Sequence, residues 1–293
     1  MLPECVTEAA TRPSRSNRNV CQTMPSLSLE DGKLDLHYRD SGPGHDAVVL
    51  LHGFPFTSEL WEPQVHELAR RYRLIAPDFR GFGDSGLPGP YSLDRLADDI
   101  AEILSDLGLE RVVLGGLSMG GYVAFAFYRR HPEYLLGLIL SDTRPEADSE
   151  ETKQNRARMA ALARQAGSAA VADEMLPGLL SRTTRSERPE IANTLHAMIS
   201  SAAPEAIAAA LSAMAERGDS RSLLPDIDVP VLVMGGADDS LTPAAEMRAW
   251  AAEIPTAQTA FIEGAGHVAN LERPGEFNNL IADFVARLYG DIR

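Results

Sequence analysis

From Leu27 onward, short continuous apolar runs alternate with segments whose apolar positions recur at helical spacing. The runs in "AVVLLHG", "RLIAPD", "RVVLGG", "LLGLILSD" and "PVLVMGG" lack polar alternation, the pattern of strands covered on both faces. "LDLHYRD" instead alternates apolar and polar residues, as an antiparallel strand with one wet face does. Helical patterns occupy residues 58–70, 92–107 and 121–130, the second opening on Ser92 as N-cap and stopping at Gly108. Strand, helix, strand in repetition predicts an α/β architecture with a right-handed parallel sheet.

The alternation stops after Asp142 and resumes at Val229. Between them, residues 144–222 are rich in alanine, arginine and glutamate, with helical spacing in "ETKQNRARMAALARQAG" and "PEAIAAALSAMAERG". This stretch predicts a helical cap over one edge of the sheet, with residues 26–143 and 223–293 forming the core. Residues 1–25 are polar and aperiodic and read as a disordered tail, within which Met24 offers a second candidate start.

Composition narrows the function classes. The 293 residues carry a net charge of -15, which repels phosphate backbones and anionic lipid, so nucleic acid and membrane are poor partners and a small molecule is the better one. No apolar run reaches the length of a spanning helix, and no secretory signal is visible at the N-terminus. Both cysteines, Cys5 and Cys21, precede the folded body, which therefore has no thiol nucleophile; this suits a reducing, cytoplasmic setting.

One stretch breaks the ordinary pattern: "GGLSMGG" places Ser118 between glycine pairs where a strand must turn into a helix. Side chains two residues either side of a strained turn would collide, so Gly116 and Gly120 suit the turn and Gly121 a close helix-to-sheet contact. The serine hydroxyl then stands clear, and the Met119 N–H at the helix start points to the same space with the helix dipole behind it. This is the nucleophile-elbow pattern G-x-S-x-G. A serine attacks well only when a histidine takes its proton and a carboxylate orients that histidine. Of the seven histidines, His37, His45, His66, His131 and His196 read as surface or capping residues, whereas His267 falls in the glycine-flanked loop of "FIEGAGHVANLERP". "PVLVMGGADDSLTP" ends an apolar strand on Asp238 and Asp239, of which only one can face the histidine. Asp142 follows another buried strand and is a rival acid, read as a loop cap.

Taken in order, "LLHGFP", "PDFRGFGDSG", "GLSMGG", "GADDSLTP" and "GAGHVANLERP" resemble the α/β-hydrolase-fold esterases, enol-lactonases and non-haem perhydrolases, a likeness running from about Leu27 to Tyr289. The resemblance implies a mostly parallel sheet flanked by helices, with a helical cap inserted after the sixth strand. By the family's spacing from Gly236 and to Pro243, it selects Asp239 as the acid, giving a triad of Ser118, Asp239 and His267. It implies an oxyanion hole of the Phe54 and Met119 backbone N–H groups, and structural roles for His52, Asp78, Asp84 and Ser85.

The activity implied is hydrolysis of a small carboxylic ester or lactone through an acyl-enzyme, with no metal or organic cofactor. Perhydrolysis, cofactor-free haloperoxidation and carbon–carbon bond hydrolysis share the triad, and a ligand-binding receptor is the alternative of another class. Haloalkane dehalogenases and epoxide hydrolases of this fold need an aspartate where this chain has Ser118. Phe54, Phe56, Trp61 and Tyr122 are candidates for an apolar substrate lining or for ordinary core packing, and Arg144 for a substrate carboxylate or a surface salt bridge.

Overall fold

The computed structural model describes residues 24–87 and 89–290; apart from residues 24 and 25, the expected N-terminal tail lies outside them, as do both cysteines. Among the described residues, eight strands form one sheet: β1 (Ser26–Leu29), β2 (Leu34–Asp40), β3 (Ala47–Leu51), β4 (Arg73–Pro77), β5 (Val112–Leu117), β6 (Leu135–Ser141), β7 (Val231–Gly236) and β8 (Ala257–Ile262). Their spatial order is β1-β2-β4-β3-β5-β6-β7-β8. β2 pairs antiparallel with β1 and β4, and every later pairing is parallel. The burial follows the hydrophobic patterning: β3, β5, β6 and β7 are buried at every position, whereas β2 alternates buried and wetter residues.

The helices are α1 (Glu62–Leu68), α2 (Leu93–Asp106), α3 (Met119–Arg130), α4 (Glu150–Ala166), α5 (Ser168–Leu179), α6 (Arg182–Glu187), α7 (Pro189–Ser201), α8 (Pro204–Ala215), α9 (Ala244–Ala251), α10 (Ala269–Glu272) and α11 (Pro274–Gly290). Ser92 caps α2 by accepting the Arg95 N–H, and Gly108 adopts a φ of 63° just past its end. The segment 58–70 is not one helix. The Thr57 side chain accepts the Glu59 N–H to start a 3-10 turn at Ser58–Trp61, and α1 begins only where Pro63 occupies its first turn.

α3 lies against β3, β5 and β6, and α11 against β6 and β8, so the sheet is flanked by helices. Five helices, α4 to α8, intervene between β6 and β7 and pack mainly on one another. α4 is delimited by its own sequence, with Ser149 accepting the Thr152 N–H and Gly167 ending it at a φ of 84°. Among the described residues, no single helix is long and apolar enough to cross a membrane.

Candidate active site

The register of the parallel strands sets the chemistry at one edge. Leu51 pairs with Gly116, Leu117 with Ser141 and Ser141 with Met234, so the loops after β3, β5, β6 and β7 leave the sheet together. Ser118 occupies the step from β5 to α3 with φ 54° and ψ -113°, a left-handed backbone that non-glycine residues rarely adopt. Its N–H donates to the Ser141 carbonyl at 2.9 Å, and its own carbonyl accepts from Gly121 N–H and the Thr143 hydroxyl. A Cβ on Gly116 would lie 2.2 Å from the Gly120 carbonyl oxygen, and one on Gly120 2.3 Å from the Leu51 carbonyl oxygen. Gly121 abuts the Thr143 side chain, while Gly115 meets Leu50 and Ile139 of the neighbouring strands.

His267 and Asp239 converge on this turn from the loops after β8 and β7. The His267 Nδ1 and the Asp239 Oδ2 are 2.7 Å apart, both residues are buried, and Asp238 is exposed. Asp239 Oδ1 accepts the N–H groups of Leu241 (2.7 Å) and Thr242 (3.2 Å), and the Thr242 hydroxyl donates to Oδ2. Burial alone would push the Asp239 carboxyl up. The His267 charge, with hydrogen bonds from His267, the Thr242 hydroxyl and the Leu241 N–H, outweighs it and holds the carboxyl well below the usual carboxylate range. The ionised acid therefore leaves Nδ1–H as the histidine's bond to Asp239, with Nε2 free of that carboxylate.

A cavity of about 350 Å³ opens at this point, and Ser118, His267, Phe54, Tyr122 and Arg144 all line it. The intervening helices contribute Met159, Met175, Leu179, Leu211 and Met214 as its apolar wall. Arg144 donates to the neutral Leu241 carbonyl at the cavity wall. Phe56 and Trp61 do not line the cavity. The Phe56 N–H closes a turn onto the Gly53 carbonyl, which tucks the ring beneath the loop, and Trp61 packs on Phe277 with ring centroids 6.1 Å apart.

The loop after β3 carries His52, Gly53 and Phe54 beside β5; a Cβ on Gly53 would lie 2.9 Å from Leu117. His52 is fully buried, Nδ1 bonding the Gly53 carbonyl at 2.9 Å and Nε2 accepting the Phe79 N–H at 3.0 Å. That pair of partners assigns the neutral tautomer, and burial lowers its pKa to about 4. Asp78 accepts the Ser58 N–H, and the Ser85 hydroxyl bridges the Asp78 carbonyl and the His37 N–H. These residues brace the Phe54 loop; Asp84 is exposed. Met119 opens α3 and is buried, and first-turn N–H groups have no partner within their own helix.

Two neighbours of the pair carried little local signal. Thr242 was legible only in retrospect, as the end of an Asp-x-x-Thr turn whose N–H groups fold back on the Asp239 carboxylate. Asp142, read as a loop cap, is fully buried, with its carboxylate, that of Asp239 and His267 all within 4.8 Å of one another. Among the described residues this is the grouping close enough to share a cation, yet the facing atoms of Asp239 and His267 already bond each other.

Comparison with known proteins agrees with this fold. The family model described as alpha/beta hydrolase fold matches residues 46–274. 3-Oxoadipate enol-lactonase 2 of Acinetobacter baylyi is 28% identical over 264 residues, 89% of this chain and 96% of the relative. The structure of a thermophilic esterase from Thermogutta terrifontis, with malate bound, superposes with a TM-score of 0.86 at 41% identity, over 92% of this chain and 99% of that one. The enol-lactonase of Burkholderia xenovorans LB400 gives 0.82 at 29% identity, over 89% and 100%.

Proposed function

The chain belongs to the alpha/beta hydrolase fold family, and on that premise we propose that it is a serine hydrolase cleaving small carboxylic esters or lactones through an acyl-enzyme. The carrying observation is the buried His267–Asp239 pair at 2.7 Å on the same cavity as Ser118, itself held at a φ of 54° on the N-terminus of α3.

In this reading the Ser118 Oγ attacks the substrate carbonyl while His267 Nε2 takes its proton. His267 then returns that proton to the leaving alkoxide; in a lactone the alkoxide stays tethered to the acyl group. Water, deprotonated by the same imidazole, then attacks the acyl carbonyl; the bond to Ser118 Oγ breaks, the carboxylic acid leaves and the imidazolium returns its proton to Oγ. Asp239 keeps Nδ1 protonated and stabilises the imidazolium. The Phe54 and Met119 N–H groups receive the oxyanion, a contribution of about 3 to 4 kcal/mol per donor in comparable sites. Residues 144–222 act as the cap that walls the acyl pocket, over a core of 26–143 and 223–293. The likeness to an esterase and to enol-lactonases supports the substrate class. With both cysteines in the first 21 residues, we place the protein in the cytoplasm.

The experiment is a p-nitrophenyl acetate assay with fluorophosphonate labelling. Parent protein turns over the ester and is labelled, and S118A does neither. Full turnover by S118A, or a parent that neither hydrolyses nor is labelled, overturns the assignment.

A further inference from the structure

Asp142 is the ionisable group beside the site that the mechanism above leaves unused. It directly follows β6, is fully buried, and holds a left-handed backbone with φ 46° although it is not glycine. Its surroundings are shaped for a carboxyl. Oδ1 accepts the Gly236 N–H at 2.8 Å and Oδ2 accepts the Ser141 hydroxyl at 2.7 Å. A Cβ on Gly235 would lie 2.4 Å from Oδ1, so β7 is bare where Asp142 enters. The titratable groups facing it are Asp239 from the loop after β7 and His267 from the loop after β8. Ser141, Gly235 and Gly236 are neutral, and Arg144, two residues on, is turned to the Leu241 carbonyl.

Two carboxylates this close in a buried site cannot both be ionised. Asp239 has the stronger claim to the charge, with four donors including His267, against two neutral donors on Asp142. We propose that Asp142 is a positioning residue of this site: its carboxyl stays protonated and donates a hydrogen bond to Asp239, fixing the acid that orients His267. The proposal rests on the triad reading above. Burial first, then the negative charge of Asp239, pushes the Asp142 carboxyl well above the usual carboxylate range, in the same sense.

The arrangement has two consequences for the site. It withdraws charge from the Asp239 carboxylate, which keeps the histidine from being held as imidazolium. It also ties the end of β6, beside Ser118, to the acid on the next strand, so nucleophile and acid share one frame.

Infrared difference spectroscopy tests the protonation without any need for activity. Parent minus D142N at neutral pH should carry the carbonyl stretch of a protonated carboxylic acid; a difference showing only an ionised carboxylate overturns the proposal. The acid limb of the kcat/KM profile tests the positioning. D142N, whose amide can still donate, should keep that limb within about 0.3 pH units of the parent, while D142L, which cannot, should raise it by about 0.5 to 1 unit. D142L should also lower kcat/KM about 10- to 100-fold. A limb about a unit lower in D142N means that Asp142 carries charge, and a limb unmoved in folded D142L means that it only fills space; either overturns the idea. If D142L does not fold, D142S, which retains a weaker donor, should raise the limb by an intermediate amount, and no movement again counts against it. An inactive parent with the protonated-acid band intact would sink the hydrolase reading and not the protonation.

Discussion

Asp239 and His52 are both buried ionisable groups, and the site needs opposite charge states of them. Asp239 is ionised, and because its folded pKa lies below the ordinary value of 3.8, its stabilisation is present above that value and lost as pH falls through the lower folded one. D239N keeps the shape and removes the charge, so His267 loses the partner that fixes its tautomer. Turnover should fall by about 10⁴ in kcat, measured on p-nitrophenyl acetate, with labelling of Ser118 slowed in parallel. His52 is neutral, with a pKa lowered from 6.5 to about 4. Below pH 6.5 the unfolded chain binds a proton that His52 in the folded protein refuses until about pH 4, so the His52 contribution to stability rises with pH across that window, by up to about 3 kcal/mol. H52Q has no such proton to exclude, so the parent's urea midpoint relative to that of H52Q should climb from pH 4 to 6.5.

The step from β5 to α3 concentrates the constraints of a whole element into a few residues. Gly116 and Gly120 are not there for left-handed freedom; Ser118 takes that backbone itself, and the glycines supply space against carbonyl groups about 2.2 and 2.3 Å from a would-be Cβ. Backbone cannot yield as a side chain tip does, so G116A and G120A should each cost more than about 3 kcal/mol or abolish soluble expression. Gly275 in the first turn of α11 meets nothing within 4 Å, and G275A should change the thermal midpoint little. The elbow was legible in the sequence because its cause is local: an apolar run, then glycine where a turn must be tight. The buried strands were legible for the same reason. Asp142 was not, because its environment comes from β6 and β7 lying side by side, and residue 142 is separated from Gly236 by the whole helical insertion. For Phe56 and Trp61 the sequence left pocket lining and core packing open, because the direction in which a ring turns depends on what packs against it, here Phe277 for Trp61.

At the scale of the molecule, the cavity wall comes from a part of the chain with no strand pattern to orient it. Alanine- and arginine-rich helices show several faces of similar polarity, so the sequence foretold a helical insertion without saying that Met175 and Leu211 would line the same cavity as Ser118. Leu211 is buried on α8 and lines the pocket, as does the partly exposed Met175 of α5. If these residues bound the acyl chain, truncating them lengthens the room for it without touching the nucleophile. An apolar pocket distinguishes one methylene by about 1 to 3 kcal/mol, so the double variant M175A/L211A should raise kcat/KM for a p-nitrophenyl hexanoate relative to the acetate by at least about 10-fold. The gain should come from the longer ester, since the acetate leaves that wall uncovered in either protein. A ratio that stays put while the variant folds and still reacts with fluorophosphonate would mean that the acyl chain runs elsewhere, toward Tyr122 and Arg144.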